Sequence, residues 1–274
     1  MDASFTETLT LNPARPIGQI AVELPGSTAV FRRLKLDFCC GGQVSLEAAV
    51  SEKGLNLQDV LAELMPLQRS SAPTAITEPA ALIDHILARY HEVHRAQLPE
   101  LIRMARRVEA VHRDNPNVPA GLADLLETME GELLMHMQKE ENILFPLIKS
   151  GGISSVAGPI RVMRAEHTEA GAELEKIAEL THDATPPAGA CNTWRALYAG
   201  IAQFSEDLMN HIHLENNVLF PQFATHNAHT VSAILELAGE SDPAIARAFA
   251  DLWQERVRRI LVDHIDDQRL VTLV

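Results

Sequence analysis

The sequence HMQKEENILFP at residues 136–146 is followed 75 positions later by the similar sequence HIHLENNVLFP at residues 211–221. Both stretches fit the pattern H-x-x-x-E-x-N-x-L-F-P. In a helix, a His and the Glu four residues after it lie on one face, about 6 Å apart along the axis. Agreement over such a length is not expected by chance. It predicts two helical hairpins of similar design.

Four long amphipathic segments between Thr77 and about Pro221 surround the repeat. Their apolar residues recur at alternating steps of three and four, which is the seam of a helix bundle. The first segment is predicted to begin at a Thr77 cap with Pro79 in its first turn, and the connections contain Pro and Gly. Short connections make neighbouring helices antiparallel. We therefore predict an all-α fold, an antiparallel four-helix bundle with a small helical N-terminal domain.

The domain division follows from changes in composition along the chain. Short helical pieces interrupted by Pro and Gly come first, and a small, polar, proline-containing stretch separates them from the bundle. The predicted divisions are a small helical domain at 1–69, a linker at 70–76, the bundle at 77–225 and an extra helical segment at 226–274. In the last segment, Asp242 to Gln268 has the spacing of one amphipathic helix, whose role the pattern does not indicate.

Composition excludes several classes of protein. The 274-residue chain has a net charge of −14 and no run of five basic residues, which argues against a nucleic-acid partner. No apolar run approaches the roughly 20 residues needed to span a bilayer, and the first residues lack the features of a secretion signal. Three cysteines, two of them adjacent, do not form a disulfide framework. A cytoplasmic protein without a membrane partner is expected.

Polar residues occupy positions of the four stripes where packing calls for apolar side chains. A buried carboxylate or imidazole costs several kcal/mol unless it is paired, hydrogen-bonded or coordinated. Counting along the helices places these residues at one depth in the bundle. Four His and two Glu suit two iron or manganese ions bridged by carboxylates. The predicted metal ligands are His91, His136, Glu140, His167, His211 and Glu215.

One of these histidines has a rival, because His94 lies on the same stripe as His91. His91 precedes His136 by 45 residues and His167 precedes His211 by 44, whereas His94 gives 42. The repeat therefore favours His91 as the ligand. His94 is expected to be a group that supports the ligands or a polar residue of the core.

The other residues with chemical potential have more than one interpretation. Glu141 and Glu166 adjoin ligands but lie off the stripe, so they are expected to be solvated or to support the ligands. Cys39 and Cys40 are either small buried side chains or a redox or iron-handling thiol pair exposed by the glycines that follow. Adjacent cysteines seldom close a disulfide without strain. Cys191 is expected to be incidental.

The pattern H…H-x-x-x-E…H…H-x-x-x-E resembles the hemerythrin-like family. Together with Leu36-Asp37-Phe38-Cys39-Cys40-Gly41-Gly42, it resembles the RIC family, the di-iron proteins that repair iron–sulfur clusters. The resemblance covers roughly residues 15–221. It implies two non-haem iron ions, oxo- and carboxylate-bridged, on the six predicted ligands, and it favours a functional role for Cys39 and Cys40.

The function that this resemblance implies is repair of iron–sulfur clusters damaged by nitric oxide or peroxide. The implied partners are damaged iron–sulfur proteins, to which this protein would supply iron. The alternative is a di-iron protein that binds, reduces or senses nitric oxide or O2, since both uses need open coordination positions. A third interpretation is an interaction module whose polar core fixes helix register. Whether the protein is an enzyme depends on which holds. A homodimer formed through the N-terminal domain is a further open expectation.

Overall fold

The computed structural model describes residues 11–69, 76–151 and 156–223. Its described residues are mostly helical and contain no named strand, and one isolated β-bridge joins Pro16 to Ser45. The all-α prediction is therefore confirmed. Except for Ile76, the predicted linker 70–76 lies outside the described residues, and so does the whole of the predicted segment 226–274. Among the described helices, none combines the length and apolarity that crossing a membrane would require.

Four short helices build the N-terminal unit. They are α1 (Ile17–Glu23), α2 (Ser27–Arg33), α3 (Leu46–Glu52) and α4 (Leu57–Leu64), and a 3-10 turn at Met65–Arg69 follows them. Ser45 and Asn56 begin α3 and α4 by accepting hydrogen bonds from backbone N–H groups of the first turn. Between α2 and α3 the chain runs through Cys39 and Cys40.

Four long helices form the bundle. Helix α5 (79–111) consists of the consecutive segments Pro79–Ile86, Leu87–His91 and Glu92–Val111. Helix α6 (122–149) consists of Leu122–Lys139, Glu140–Leu144 and Phe145–Lys149. Helix α7 is Ala157–Thr181, and helix α8 (192–219) consists of Asn192–His213 and Leu214–Leu219. The cap of α5 is Glu78 and not the predicted Thr77. The Glu78 carboxylate accepts hydrogen bonds from the N–H groups of Ala80 and Ala81, and its charge also suits the helix N-terminus.

Three π-helical turns interrupt the long helices, at Leu87–His91, Glu140–Leu144 and Leu214–Leu219. Each contains one predicted ligand, namely His91, Glu140 or Glu215. A π turn closes its hydrogen bond one residue later than an α turn, so it rotates the side chains that follow relative to the helix axis. The periodicity of the sequence did not reveal these turns.

The predicted ligands lie between two apolar clusters of the bundle. One cluster includes Leu101, Met129 and Trp194 and also takes in the core of the N-terminal unit. The other includes Ile83 and Phe220 at the opposite end of the helices. A polar layer between two well-packed cores is shielded from water on both sides.

The N-terminal unit docks on the bundle through backbone carbonyl groups of the loop that carries the cysteines. The side-chain amide of Asn217 donates hydrogen bonds to the carbonyls of Phe38 (3.1 Å) and Cys39 (3.4 Å). The Phe38 ring packs edge-on against His213, with ring centres 5.4 Å apart. Gly42 lies directly beneath this contact, since an added Cβ would be 2.7 Å from both the Asn217 Oδ1 and the Phe38 carbonyl oxygen.

We predict that Gly42→Ala lowers the free energy of unfolding by about 1–3 kcal/mol, because overpacking against a backbone carbonyl forces the loop off the bundle. Gly131→Ala is the matched control. A Cβ there meets no atom within 4 Å, and the change within helix α6 is expected to stabilise by about 0.5–1 kcal/mol. Urea unfolding of both variants measures the two effects. Equal stability of Gly42→Ala and wild type would contradict the tight docking described here.

Candidate metal centre

The structure brings all six predicted ligands to one interior point of the bundle. Each of them is buried, and Glu140 and Glu215 have no exposed surface at all. Their ligand atoms form two groups, within each of which the atoms lie within 4.8 Å of one another: His91, Glu140, His211 and Glu215 in one; His136, Glu140, His167 and Glu215 in the other. Both carboxylates belong to both groups.

The four imidazoles are arranged as two pairs drawn from different helices. The Nε2 atoms of His91 and His211 are 3.2 Å apart, and those of His136 and His167 are also 3.2 Å apart. Two ligand nitrogens at about 2.1 Å from one ion, at close to a right angle, lie about 3 Å from each other. Each pair therefore has the spacing of two ligands on one ion.

The two carboxylates connect these pairs. Glu140 has one oxygen 3.4 Å from His91 Nε2 and the other 3.4 Å from His136 Nε2. Glu215 has one oxygen 3.2 Å from His211 Nε2 and the other 3.1 Å from His167 Nε2. Each carboxylate thus faces both imidazole pairs.

A metal fits the unpartnered atoms of this cluster. Among the described residues, both oxygens of Glu140 and Oε2 of Glu215 are buried without a hydrogen bond. Burial and Glu215 act to raise the pKa of Glu140, but His136 and His91 outweigh them and lower it. Burial likewise opposes ionisation of Glu215, yet His211 and His167 hold the pKa of that carboxyl well below its usual range. Ionised carboxylates and imidazole nitrogens are donors that suit iron.

Three of the four imidazoles are held from behind at Nδ1. His91 Nδ1 lies 2.7 Å from Glu141, which also pairs with Arg95 at 2.6 Å. His136 Nδ1 lies 2.8 Å from Glu166, which Lys139 also contacts. Hydrogen bonds of this kind fix the tautomer and ring orientation of a ligand histidine. Both glutamates therefore support predicted ligands, one of the two roles expected for them.

Asn216 is the third such group, and it was not among the residues predicted from the sequence. Its Oδ1 is 3.0 Å from His167 Nδ1, and its amide N–H donates to the Cys39 carbonyl at 3.1 Å. Asn216 occupies the position in the second repeat that Glu141 occupies in the first. Aligning the two repeats for their supporting residues would have identified it.

His94 and Cys191 lie apart from the two groups of ligand atoms. His94 is fully buried beside His211, with ring centres 5.4 Å apart. Cys191 is exposed just before α8, and its Sγ is 3.3 Å from His112 Nε2.

The two adjacent thiols lie in a loop that one carboxylate holds through backbone hydrogen bonds. The Asp37 carboxylate accepts hydrogen bonds from the backbone N–H groups of Cys39 (3.1 Å), Cys40 (2.9 Å) and Gly41 (2.8 Å) and so holds the loop closed. Cys39 is only 6% exposed, which agrees with the alternative of a small buried side chain for this residue. Hydrogen bonding with Cys40, together with burial, raises the pKa of Cys39.

Cys40 links this loop to the helix that carries His167. Its Sγ is 3.8 Å from that of Cys39 and donates a hydrogen bond to the His167 carbonyl at 3.2 Å. The thiol pair is therefore packed on the backbone of a predicted ligand, but neither thiol belongs to the two groups of ligand atoms.

A cavity of about 160 Å³ lies beside the second imidazole pair. Its lining runs from the exposed Met135 to His136 and His167, and it includes carboxylate side chains: Glu132, Glu166, Glu169 and Glu173. Burial and the neighbouring Glu132 raise the pKa of Glu173 to about 7. The site is therefore approached through an acidic opening.

Comparison with known proteins agrees with this geometry. The hemerythrin HHE cation binding domain matches residues 82–223, and a domain of unknown function, DUF542, matches residues 13–68. The iron-sulfur cluster repair protein YtfE of Dickeya chrysanthemi is 49% identical over 209 residues, which are 75% of this chain and 95% of the relative. The protein of the same name from Pectobacterium carotovorum is 51% identical over 209 residues, with the same coverage. The chain belongs to the hemerythrin HHE family and, within it, to the RIC group of iron–sulfur cluster repair proteins.

Proposed function

We propose that this protein holds two iron ions and supplies iron to iron–sulfur clusters damaged by nitrosative or oxidative stress. The observation that carries the proposal is a pair of fully buried carboxylates, each facing both imidazole pairs, with three of their four oxygens lacking a hydrogen bond among the described residues. The names of the relatives, at about half sequence identity, support the same function. Damaged iron–sulfur proteins of the cytoplasm are the proposed partners.

The proposed ligand sets follow from the distances. One ion would be held by His91 and His211 and the other by His136 and His167, with Glu140 and Glu215 contributing one oxygen to each. When bound, the two ions supply the iron that a damaged cluster lacks. Four protein atoms per ion leave positions for small bridging or terminal ligands, as the predicted oxo- and carboxylate-bridged centre requires.

The acidic cavity supports release of iron to a partner. Carboxylate oxygens are hard ligands that attract Fe²⁺ without the strength of a complete cage. Glu166 both lines the cavity and holds His136, so the opening begins at a supporting residue of the centre. Glu132 and Glu173 line the same cavity. An iron ion leaving His136 and His167 would therefore meet oxygen ligands before it reached bulk water.

Cys39 and Cys40 are the proposed thiols of the transfer. The contact of Cys40 Sγ with the carbonyl of His167, a proposed ligand, supports this role. The raised pKa of Cys39 makes it a protonated thiol at neutral pH, and an arriving metal ion would displace that proton, as metals do from coordinating thiols. Cys39 thus keeps its proton until iron reaches it.

A second candidate function is binding or reduction of nitric oxide or O2. The cavity that favours it also has apolar walls beside His211, formed by Met129, Leu133 and Leu208, and small uncharged molecules partition readily into such surroundings. Reduction of nitric oxide would make the protein an enzyme, whereas iron donation would not. Nitrous oxide produced by the reduced protein without an iron–sulfur partner would favour this candidate. Loss of iron coupled to recovery of a damaged cluster would favour repair.

We predict about two irons per chain in protein purified without air, with near-ultraviolet absorption developing when it is exposed to O2. Glu140→Ala combined with Glu215→Ala removes both groups that face the two imidazole pairs, so iron and absorption are expected to be lost. The control is Glu127→Ala combined with Glu175→Ala, two exposed glutamates on α6 and α7. Metal analysis and optical spectra measure the outcome. A colourless, folded wild type that takes up no ferrous iron would exclude the centre and the repair function together.

We predict that Cys39→Ala combined with Cys40→Ala slows recovery of a damaged [4Fe–4S] dehydratase while the iron content stays at the wild-type level. The thiols lie outside both groups of ligand atoms, so iron binding does not require them. Cys191→Ala removes the exposed thiol and is expected to repair at the wild-type rate. If the double variant repairs as fast as wild type, the thiols have no part in the transfer.

A further inference from the structure

The four imidazoles of the proposed centre are not supported equally. His91, His136 and His167 each have a hydrogen-bond partner at Nδ1. Among the described residues, His211 Nδ1 is buried and has none. Ligand histidines almost always donate this N–H to an outer group, and the loss of such a group weakens the site. His211 therefore calls for an explanation.

Comparing the two halves of the internal repeat shows which position lacks a hydrogen-bond partner for His211 Nδ1. Glu166, which holds His136, immediately precedes His167, and the residue that immediately precedes His91 is Tyr90. Tyr90 does not bind His211 from the ring edge. Its ring stacks flat on the imidazole, at an angle of 4° and a centre-to-centre distance of 5.4 Å. The first half of the repeat thus has an aromatic face where the second half has a carboxylate.

About one helical turn after His91 and His167, it is the first half of the repeat that has the polar residue. The residue three positions after His167 is Ala170, whereas the residue three positions after His91 is His94. His94 is 0% exposed, and both of its ring nitrogens are without a partner among the described residues. A buried polar group without a hydrogen-bond partner destabilises the folded protein. Two buried neighbours, His94 and His211, therefore both have unsatisfied nitrogen atoms.

The structure has no hydrogen bond between these two side chains, but a small rotation of either ring, or one ordered water, can join them. The ring centres of His94 and His211 are 5.4 Å apart and their planes are tilted by 31°, while Phe204 closes the other side of His94 edge-on. A neutral imidazole has one nitrogen with a free lone pair, which can accept an N–H directly or through one ordered water.

We propose that His94 is the positioning residue of His211: it accepts the Nδ1–H of His211, directly or through one water, and so turns Nε2 towards the metal. This inference rests on the metal centre of the proposed function but not on cluster repair. It assigns to His94 the role that Glu141, Glu166 and Asn216 have for the other three imidazoles.

The wild type can be tested with zinc as a diamagnetic probe. With Zn²⁺ on Nε2, His211 carries its proton on Nδ1, and nitrogen-15 NMR is expected to show this proton in slow exchange with water and close to ring protons of His94. A His211 proton that exchanges rapidly, or that has no contact with His94, overturns the proposal. This readout needs neither iron nor repair activity.

Variants provide a second, independent test on the iron-loaded protein. His94→Leu is expected to lower iron affinity about 10- to 100-fold, the usual effect of losing an outer-shell partner, and to remove the slow-exchanging His211 proton. His94→Asn keeps an amide oxygen near the position of Nδ1, and His94→Gln keeps one near the position of Nε2. Whichever oxygen can accept the His211 proton is expected to restore most of the iron affinity that His94→Leu loses. Phe204→Leu disturbs the packing around His94 without removing a nitrogen, and it is expected to keep the proton.

The outcomes separate this inference from the proposed function. Equal loss of iron from His94→Leu and Phe204→Leu, with the His211 proton retained in both, would show that His94 only fills space. Failure of the wild type to bind either zinc or iron would exclude the centre itself and this inference with it. Iron binding and a His94-dependent proton in a protein that repairs no cluster would uphold the positioning role and reject repair.

Discussion

The burial of two ionised carboxylates is the constraint on which the arrangement of the four long helices depends. Glu140 and Glu215 lie between two apolar clusters, where an isolated anion would be strongly disfavoured. Imidazoles from all four helices surround them. Burial and neighbouring charges act in opposite directions on His136, and the charge of Glu140 prevails, raising the pKa of His136 to about 10. Positive charge, from protons or from metal, is what allows these carboxylates to be buried.

The two repeats also share an aromatic residue that packs against a predicted ligand. In each repeat the Phe of L-F-P packs its ring against a predicted ligand from the preceding helix: Phe145 on His91 and Phe220 on His167, with ring centres 5.8 and 6.0 Å apart. The π turns that begin at Glu140 and at Leu214 lie between the His of each repeat and this Phe. The ligand His, the π turn and the Phe therefore form one local unit, which occurs once in each repeat.

The sequence predicted the parts of the centre that depend on helical periodicity. His136 with Glu140 and His211 with Glu215 stand out because four-residue spacing puts each pair on a face that should be apolar, and counting along the helices placed His91 and His167 at the same depth. Periodicity could not reveal which oxygen faces which imidazole, because that depends on packing between helices. Nor could it reveal the π turns, whose extra residue breaks the period.

Contacts between distant segments were equally beyond the sequence. The burial of Cys39 depends on Asp37 closing the loop and on Asn217 holding it from helix α8. The local sequence of adjacent cysteines and glycines does not predict a hydrogen bond to Asn217, nearly 180 positions away. The cap of α5 was displaced by one residue for a related reason, since Thr77 and Glu78 are both plausible caps and only the backbone path chooses between them. Such features come from tertiary packing, to which local propensity is a weak guide.

The difference between Glu141 and Asn216 shows how the two halves of the repeat acquired separate tasks. Both residues accept a hydrogen bond from a ligand imidazole. Glu141 also faces Arg95 at the surface, where a carboxylate suits a cation. Asn216 faces the carbonyl of Cys39 instead, and a carboxylate there could not donate and would repel the carbonyl oxygen. An amide can accept from His167 on one side and donate to the thiol loop on the other, which a carboxylate cannot do. The side chain that orients a ligand thus also anchors the N-terminal unit, so a shift of the cysteine loop would be felt at His167.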